Sequence, residues 1–166
     1  SVEDAQLIFA DEPDKYFTGM LSGADAPDPG SNSIIGEMTI TCVDPFKRTV
    51  ATKAVSPSNN EFVFNYNGNW ASYPVIHAAF SAACTTFALT HSNGAILQFN
   101  GLSAGDVLLI DCETATIKKN DTAAPMIGAI GNEWDSFFLS PGTNQIAMTA
   151  AGTMPTVTLE YREVFM

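Results

Sequence analysis

Short runs of alternating apolar and polar residues organise this chain, and helical periodicity is almost absent. From residue 61 onward each run is followed by a turn signal. Residues 61–66 (EFVFNY) place Phe62, Phe64 and Tyr66 on one face, and Asn67–Gly68 follows as a turn. Residues 74–80 (PVIHAAF) open on a proline, a first-position use that strands permit. Residues 85–90 (TTFALT), a turn at Asn93–Gly94 and residues 95–99 (AILQF) come next. Residues 106–111 (DVLLID) and 114–118 (TATIK) predict a hairpin around Cys112 and Glu113, with a further turn at 119–121. The rhythm breaks over 123–134, which reads as a loop or a short helical turn. Residues 137–139 predict a short strand, 141–144 a turn and 145–149 another strand. Residues 156–165 (TVTLEYREVF) predict a long closing strand, with Val157, Leu159 and Tyr161 inward and Thr158, Glu160 and Arg162 outward.

About eight strands at this spacing predict an all-β fold, an antiparallel β-sandwich over residues 56–166. Residues 56–60 (SPSNN) are polar and contain proline, so they read as the linker before it. The preceding stretch, residues 7–49, reads as a strand, a proline-containing turn, a second strand, a polar loop and a third strand. Three strands lack the neighbours that an independent sheet needs. Residues 1–55 are therefore expected to be a partial β-rich domain, either because the chain is a fragment or because other chains complete it. That points toward an assembly protein.

Composition narrows the picture. The 166 residues suffice for one good core. Charged residues make up 15%, against roughly 25% in ordinary soluble domains. Seven Lys and Arg face eighteen Asp and Glu, and the net charge of −11 argues against a nucleic-acid partner. No apolar run reaches ~18 residues, so no membrane span is expected. The first residues (SVEDAQ) lack the basic-then-apolar pattern of a secretion signal. Cys42, Cys84 and Cys112 are widely spaced, each in an apolar run, and read as buried, reduced thiols of a protein folded in a reducing cytoplasm. With no CxxC pair, only His77 and His91, and no acidic calcium loop, no metal is expected.

Enzyme motifs are missing: no GxSxG elbow, P-loop, HExxH or GxGxxG occurs. His77 reads as a structural residue facing away from Val75, and His91 as a solvated turn residue. Asp106 and Asp111 lie an odd number of positions apart, on opposite strand faces, and so cannot readily flank one glycosidic bond. Asp106 follows Gly105, a turn position that suits backbone hydrogen bonds. Glu133, Trp134 and Asp135 adjoin in a loop, and Trp70 lies in another. An exposed Trp beside polar groups can stack on a sugar, so these four residues form a candidate carbohydrate site. The competing and preferred reading is that each Trp plugs one end of the sandwich.

Five segments taken together carry a resemblance: DEPDKYFTGMLSG, GEMTITCVDPFKRT, LSAGDVLLIDCETATIKKND, SPGTNQIAM and TVTLEYREVF. Their order is similar to that in the distal tail protein (Dit) family of long-tailed bacteriophages and prophages. The first two resemble the closing strands of that family's N-terminal domain, with the Asp-Pro-Phe step at 44–46 as the exit. The others resemble its C-terminal galectin-like, jelly-roll-type sandwich. Family members carry a longer N-terminal part, of which only the end would be present here. The resemblance implies a virion protein made in the host cytoplasm. It implies a hexameric ring in the full-length protein, joining tail tube to baseplate and host-adhesion device. Partners would be the tail tube, tail-tip and receptor-binding proteins, with a host glycan as the alternative. It implies no catalytic residues and no cofactors.

Overall fold

The computed structural model describes residues 5–24, 36–42 and 44–166. The polar loop expected within 25–35 lies outside the described residues. Two compact units emerge: Ser1–Ala51 with Val164–Met166, and Thr52–Glu163.

In the first unit, β1 (Ala5–Leu7), β2 (Lys15–Ala24), β3 (Met38–Thr41) and β4 (Lys47–Thr49) are all antiparallel. The long strand β2 is the spine. Its first residues pair with β4, Phe17–Gly19 with β1, and Met20–Ala24 with β3 across a register shift between Leu21 and Gly23. Gly19 permits the close approach of β3, because a Cβ there would lie 2.9 Å from Ile40 Cγ2. The chain then leaves for the second unit and returns at its end. Among the described residues of this unit only Tyr16, Gly19, Thr49 and Val164 are buried. Ile8, Phe9, Leu21, Met38 and Val50 are exposed.

The second unit is the expected sandwich. One sheet holds β5 (Lys53–Val55), β7 (Val75–Ala79), β10 (Val107–Asp111), β11 (Thr116–Lys119), β12 (Thr122–Ala123) and β14 (Thr156–Tyr161). The other holds β6 (Glu61–Tyr66), β8 (Cys84–His91), β9 (Ile96–Leu102) and β13 (Gly142–Gly152). Strand orders are β12-β11-β10-β7-β14-β5 and β6-β13-β8-β9. Alternation sends Ile76, Leu108, Ile110, Val157 and Leu159 from the first sheet into the same core as Phe62, Phe87, Leu89, Phe99 and Ile146 from the second. Aromatic pairs cross the layers, Phe64 stacking on Tyr161 at 5.2 Å and Phe80 meeting Phe87 edge-on at 5.6 Å. The last strand, β15 (Val164–Phe165), pairs with β4 in the first unit.

The all-β sandwich is as expected, and several local readings change. Residues 56–60 are no linker. Ser58 and Glu61 exchange backbone hydrogen bonds of 2.8 and 3.1 Å around Asn59 and Asn60, both left-handed at φ 52° and 61°. Asn tolerates that conformation, so the stretch is a tight turn leading from β5 in one sheet to β6 in the other. The sequence reading divided the chain at 55/56; packing divides it after Ala51 and again after Glu163. The closing strand breaks at Arg162 and Glu163, so its final residues belong to a different sheet from its start. Residues 137–139 make one bridge, Leu139 to Ser72, because Phe137 and Leu139 are drawn into the core behind a short 3-10 turn, Trp134–Ser136. His77 shares Val75's face and not the opposite one, as the two-residue repeat requires, because Ile76 and Ala78 take the core side. Cys84 and Cys112 are buried, but Cys42 is exposed just past β3.

Because β15 supplies the outer pairing partner of β4, removal of residues 164–166 should loosen the first unit selectively. Hydrogen-exchange mass spectrometry should show at least tenfold faster exchange over 15–24 and 47–49, with the sandwich strands unchanged. Equal protection with and without these residues would contradict this.

Candidate interaction surfaces

The loop that contains three of the four sequence-predicted site residues follows the edge of the four-stranded sheet. β9 is the outer strand there, and its free backbone groups need partners. Residues 128–133 supply them. Gly128 bridges to Phe99, and the Ala129 N–H donates to the Gln98 carbonyl at 2.8 Å. The Asn132 amide oxygen accepts from the Gln98 N–H at 2.8 Å, and its nitrogen donates to the Gln98 carbonyl at 3.1 Å. Glu133 Oε2 accepts from the Ile96 N–H at 3.0 Å, while its own N–H donates to the Ile96 carbonyl at 3.1 Å. Two side chains thus imitate a neighbouring strand and blunt the edge.

This arrangement decides what each candidate residue does. The Glu133 carboxylate is committed to the backbone of β9. Trp134 is half-buried against the core, edge-on to Phe99 at 6.3 Å. Asp135 is exposed, and its carbonyl accepts from the Tyr73 hydroxyl at 3.4 Å. Trp70 lies in a separate segment and is 43% exposed; its carbonyl accepts from the Tyr66 hydroxyl at 2.8 Å. The structure therefore gathers Glu133, Trp134 and Asp135 on one loop, with the Trp134 ring packed against the core beside Phe99 and Trp70 in a separate segment.

Two polar residues of the sandwich are largely shielded from water. The Asp106 carboxylate accepts from the Ser103 N–H at 2.8 Å, from Lys119 Nζ at 3.3 Å and from the Asn120 amide at 3.3 Å. The Ser103 N–H above all, then Lys119 and Asn120, hold this carboxyl below its ordinary range. It ties the end of β10 to β11, as a turn Asp does. His91 is buried, not solvated: its Nδ1 accepts from the Asn93 N–H at 3.1 Å, and its ring meets Phe137 edge-on at 5.8 Å. Nε2 therefore carries the proton and has no well-formed partner. The nearby Asn144 amide bonds instead to the carbonyls of Ser140 and Gly142. Burial pushes the imidazole below its usual value, and Asn144 and Asn93 only partly oppose that. Burial likewise pushes the Cys112 thiol up, which keeps it unreactive.

The first unit carries a different kind of surface. Leu7, Phe9, Phe17, Met38, Ile40 and Cys42 line an open apolar cleft of about 490 Å³. Lys47 Nζ stands 5.8 Å from the centre of the Phe17 ring and shares Glu12 with Lys15, at 2.5 and 3.1 Å. Both ammoniums lower the Glu12 carboxyl, Lys47 first. The sequence reading missed this cleft, although Leu7 and Phe9, placed shortly before the polar turn at 11–14, were the signal for it. Among the described residues no group of three or more His, Cys, Asp or Glu could hold a metal ion, and no helix is long and apolar enough to cross a membrane.

Residues 67–165, more than half of the chain, match the family described as siphovirus-type tail component, C-terminal domain. The chain belongs to this family of phage tail components. The resemblance to distal tail proteins read from the five segments is borne out. Among solved structures, the Dit protein of phage SPP1 superposes with a TM-score of 0.81 at 19% identity, over 99% of this chain. That protein is described as a paradigm of the hub adsorption apparatus in phages that infect Gram-positive bacteria. At this identity the likeness establishes a shared fold. The chain spans 66% of that protein's length. No curated protein matches. As a tail component the chain is a virion part.

The buried His91 gives the sandwich a pH signature. A histidine kept neutral in the folded state contributes its stability in full above its ordinary value of 6.5. That contribution is lost as pH falls below 6.5, because the unfolded chain takes up the proton first. Urea unfolding should show a lower midpoint at pH 5.5 than at 7.5, and His91→Gln should flatten the difference by at least half. A wild-type midpoint unchanged across that window would count against it.

Proposed function

We propose that this chain is part of a distal tail protein, a structural hub at the tail tip of a long-tailed phage or prophage. The hub joins the tail tube to the baseplate and host-adhesion device. The observation that carries this reading is the pairing of a family-matched sandwich with a first unit whose described residues bury only Tyr16, Gly19, Thr49 and Val164. A unit with Phe9, Leu21 and Met38 in water is unfavourable until another surface covers them. In a ring, each subunit meets its neighbour's opposite face, and such cover is repeated at every interface.

The reading assigns the protein no bond-breaking role. Asp106 and Glu133 serve turns and edges, and Glu163 bonds to Lys53 at 2.5 Å and Asn67 at 3.1 Å inside the sandwich. The partners are further copies of the protein in a hexameric ring, the tail tube, tail-tip proteins and receptor-binding proteins. The full-length protein should sediment as a hexamer-sized particle, and antibodies against residues 52–163 should label tail tips in electron micrographs of virions. Labelling along the tube or on the capsid, or a full-length protein that stays monomeric, would overturn the reading.

A further inference from the structure

One buried carboxylate of the sandwich is shared by an amine and an amide. Glu163 Oε1 accepts from Lys53 Nζ at 2.5 Å and from Asn67 Nδ2 at 3.1 Å. The Glu163 side chain keeps 9% of its surface in water, against 43% for Lys53. The other end of the Asn67 amide is held as well: its Oδ1 accepts from Asn65 Nδ2 at 2.7 Å. Tyr161 pairs with Lys53 across β14 and β5, and Tyr66 precedes Asn67 in the chain. Both tyrosines are buried, with ring centres 5.7 Å apart, so the set adjoins an aromatic part of the core.

These four residues are the parts that amide formation needs. Lys53 supplies a nucleophilic amine, and Asn67 Cγ is the carbonyl carbon it can attack. Glu163 touches the attacking nitrogen and the leaving nitrogen through the same oxygen, which is the position of a proton shuttle. The Asn65 amide donates to the oxygen on which negative charge would develop. The fold holds all four together before any reaction, which removes much of the entropic barrier.

We propose that Lys53 and Asn67 condense into an isopeptide bond, with Glu163 as the catalytic acid and base. Glu163 takes a proton from the Lys53 ammonium along their hydrogen bond, leaving Nζ a lone pair. Nζ attacks Asn67 Cγ, the new C–N bond forms, and the carbonyl electron pair moves onto Oδ1. The carbonyl then re-forms as the Cγ–Nδ2 bond breaks. Two protons of the Lys53 ammonium pass through Glu163 to Nδ2, which departs as ammonium, and Glu163 is again a carboxylate.

The bond would join β5 of one sheet to the residue that follows β6 of the other, a covalent staple between the two layers. As a single event within the chain it turns over no substrate, and it neither needs nor tests the hub reading. Asp106 gathers the same residue types, but Lys119 and Asn120 meet different oxygens of it, at 3.3 Å each, and are consecutive in the chain. A bond between those two would staple nothing.

The intact mass of the purified 166-residue chain should lie one ammonia below that of its sequence. Digestion with trypsin and a glutamyl endopeptidase, which cuts after Glu61, should leave Lys53 and Asn67 in one branched peptide. Lys53→Arg and Asn67→Ala should keep their full mass. Glu163→Gln, which cannot carry the protons, should slow linking at least about a hundredfold. A wild-type chain with the circular dichroism of a β protein and its full mass overturns the proposal. So does an ammonia loss that persists in Lys53→Arg, the mark of a succinimide at Asn67–Gly68. Separation of Lys53 from Asn67 after cleavage at Glu61, or linking of Glu163→Gln at the wild-type rate, overturns it too.

Discussion

The structure depends on one shared apolar layer. Two antiparallel sheets place Ile76, Leu108, Ile110 and Leu159 against Phe62, Phe87, Phe99 and Ile146, all fully buried. Burial at this level stabilises by roughly 1.5–3 kcal/mol per large side chain, which the sandwich collects many times and the described residues of the first unit only at Tyr16 and Val164. The asymmetry explains why the turns of the sandwich are tightly specified. Asp111 accepts from the Glu113 and Thr114 N–H groups, Asp106 from Ser103, and Asn144 braces Ser140, each fixing a loop whose strands must meet the core in register.

The same layer sets the topology. The chain makes β1–β4, passes into the sandwich at Thr52, and leaves it at Glu163 to add β15 beside β4. Lys53 and Glu163, which adjoin the two crossing points in sequence, are joined by an ion pair on the sandwich side. The Glu163 carboxylate is buried there and also accepts from Asn67, so the start and end of the sandwich are fastened to each other. A module whose ends are held together in this way can be inserted into another fold with little disturbance to either.

Function follows from what the core leaves outside. Asn132 and Glu133 are engaged in holding the backbone of β9. What remains available is surface: an acidic, apolar-tipped loop on the sandwich and an apolar cleft with a cation on its wall in the first unit.

The alternation in EFVFNY, DVLLID and TVTLEY by itself determined the strands and their inward faces, because a period of two admits one burial pattern. The Asn-Gly, Asp and Pro positions fixed most turns for equally local reasons. The order of the five segments carried the family. Only the tertiary structure decided which strands became neighbours, and that decided the rest. His91 reads as a turn residue until β13 and Phe137 close over it; Trp134 reads as a plug or a platform until its ring meets Phe99; Cys42 reads as core until it proves to lie exposed just past β3. The final strand reads as continuous, yet Tyr161 and Val164 end in different sheets. Burial is a property of what arrives from elsewhere in the chain, so short-range pattern specifies an element's faces but not the surfaces that will cover them.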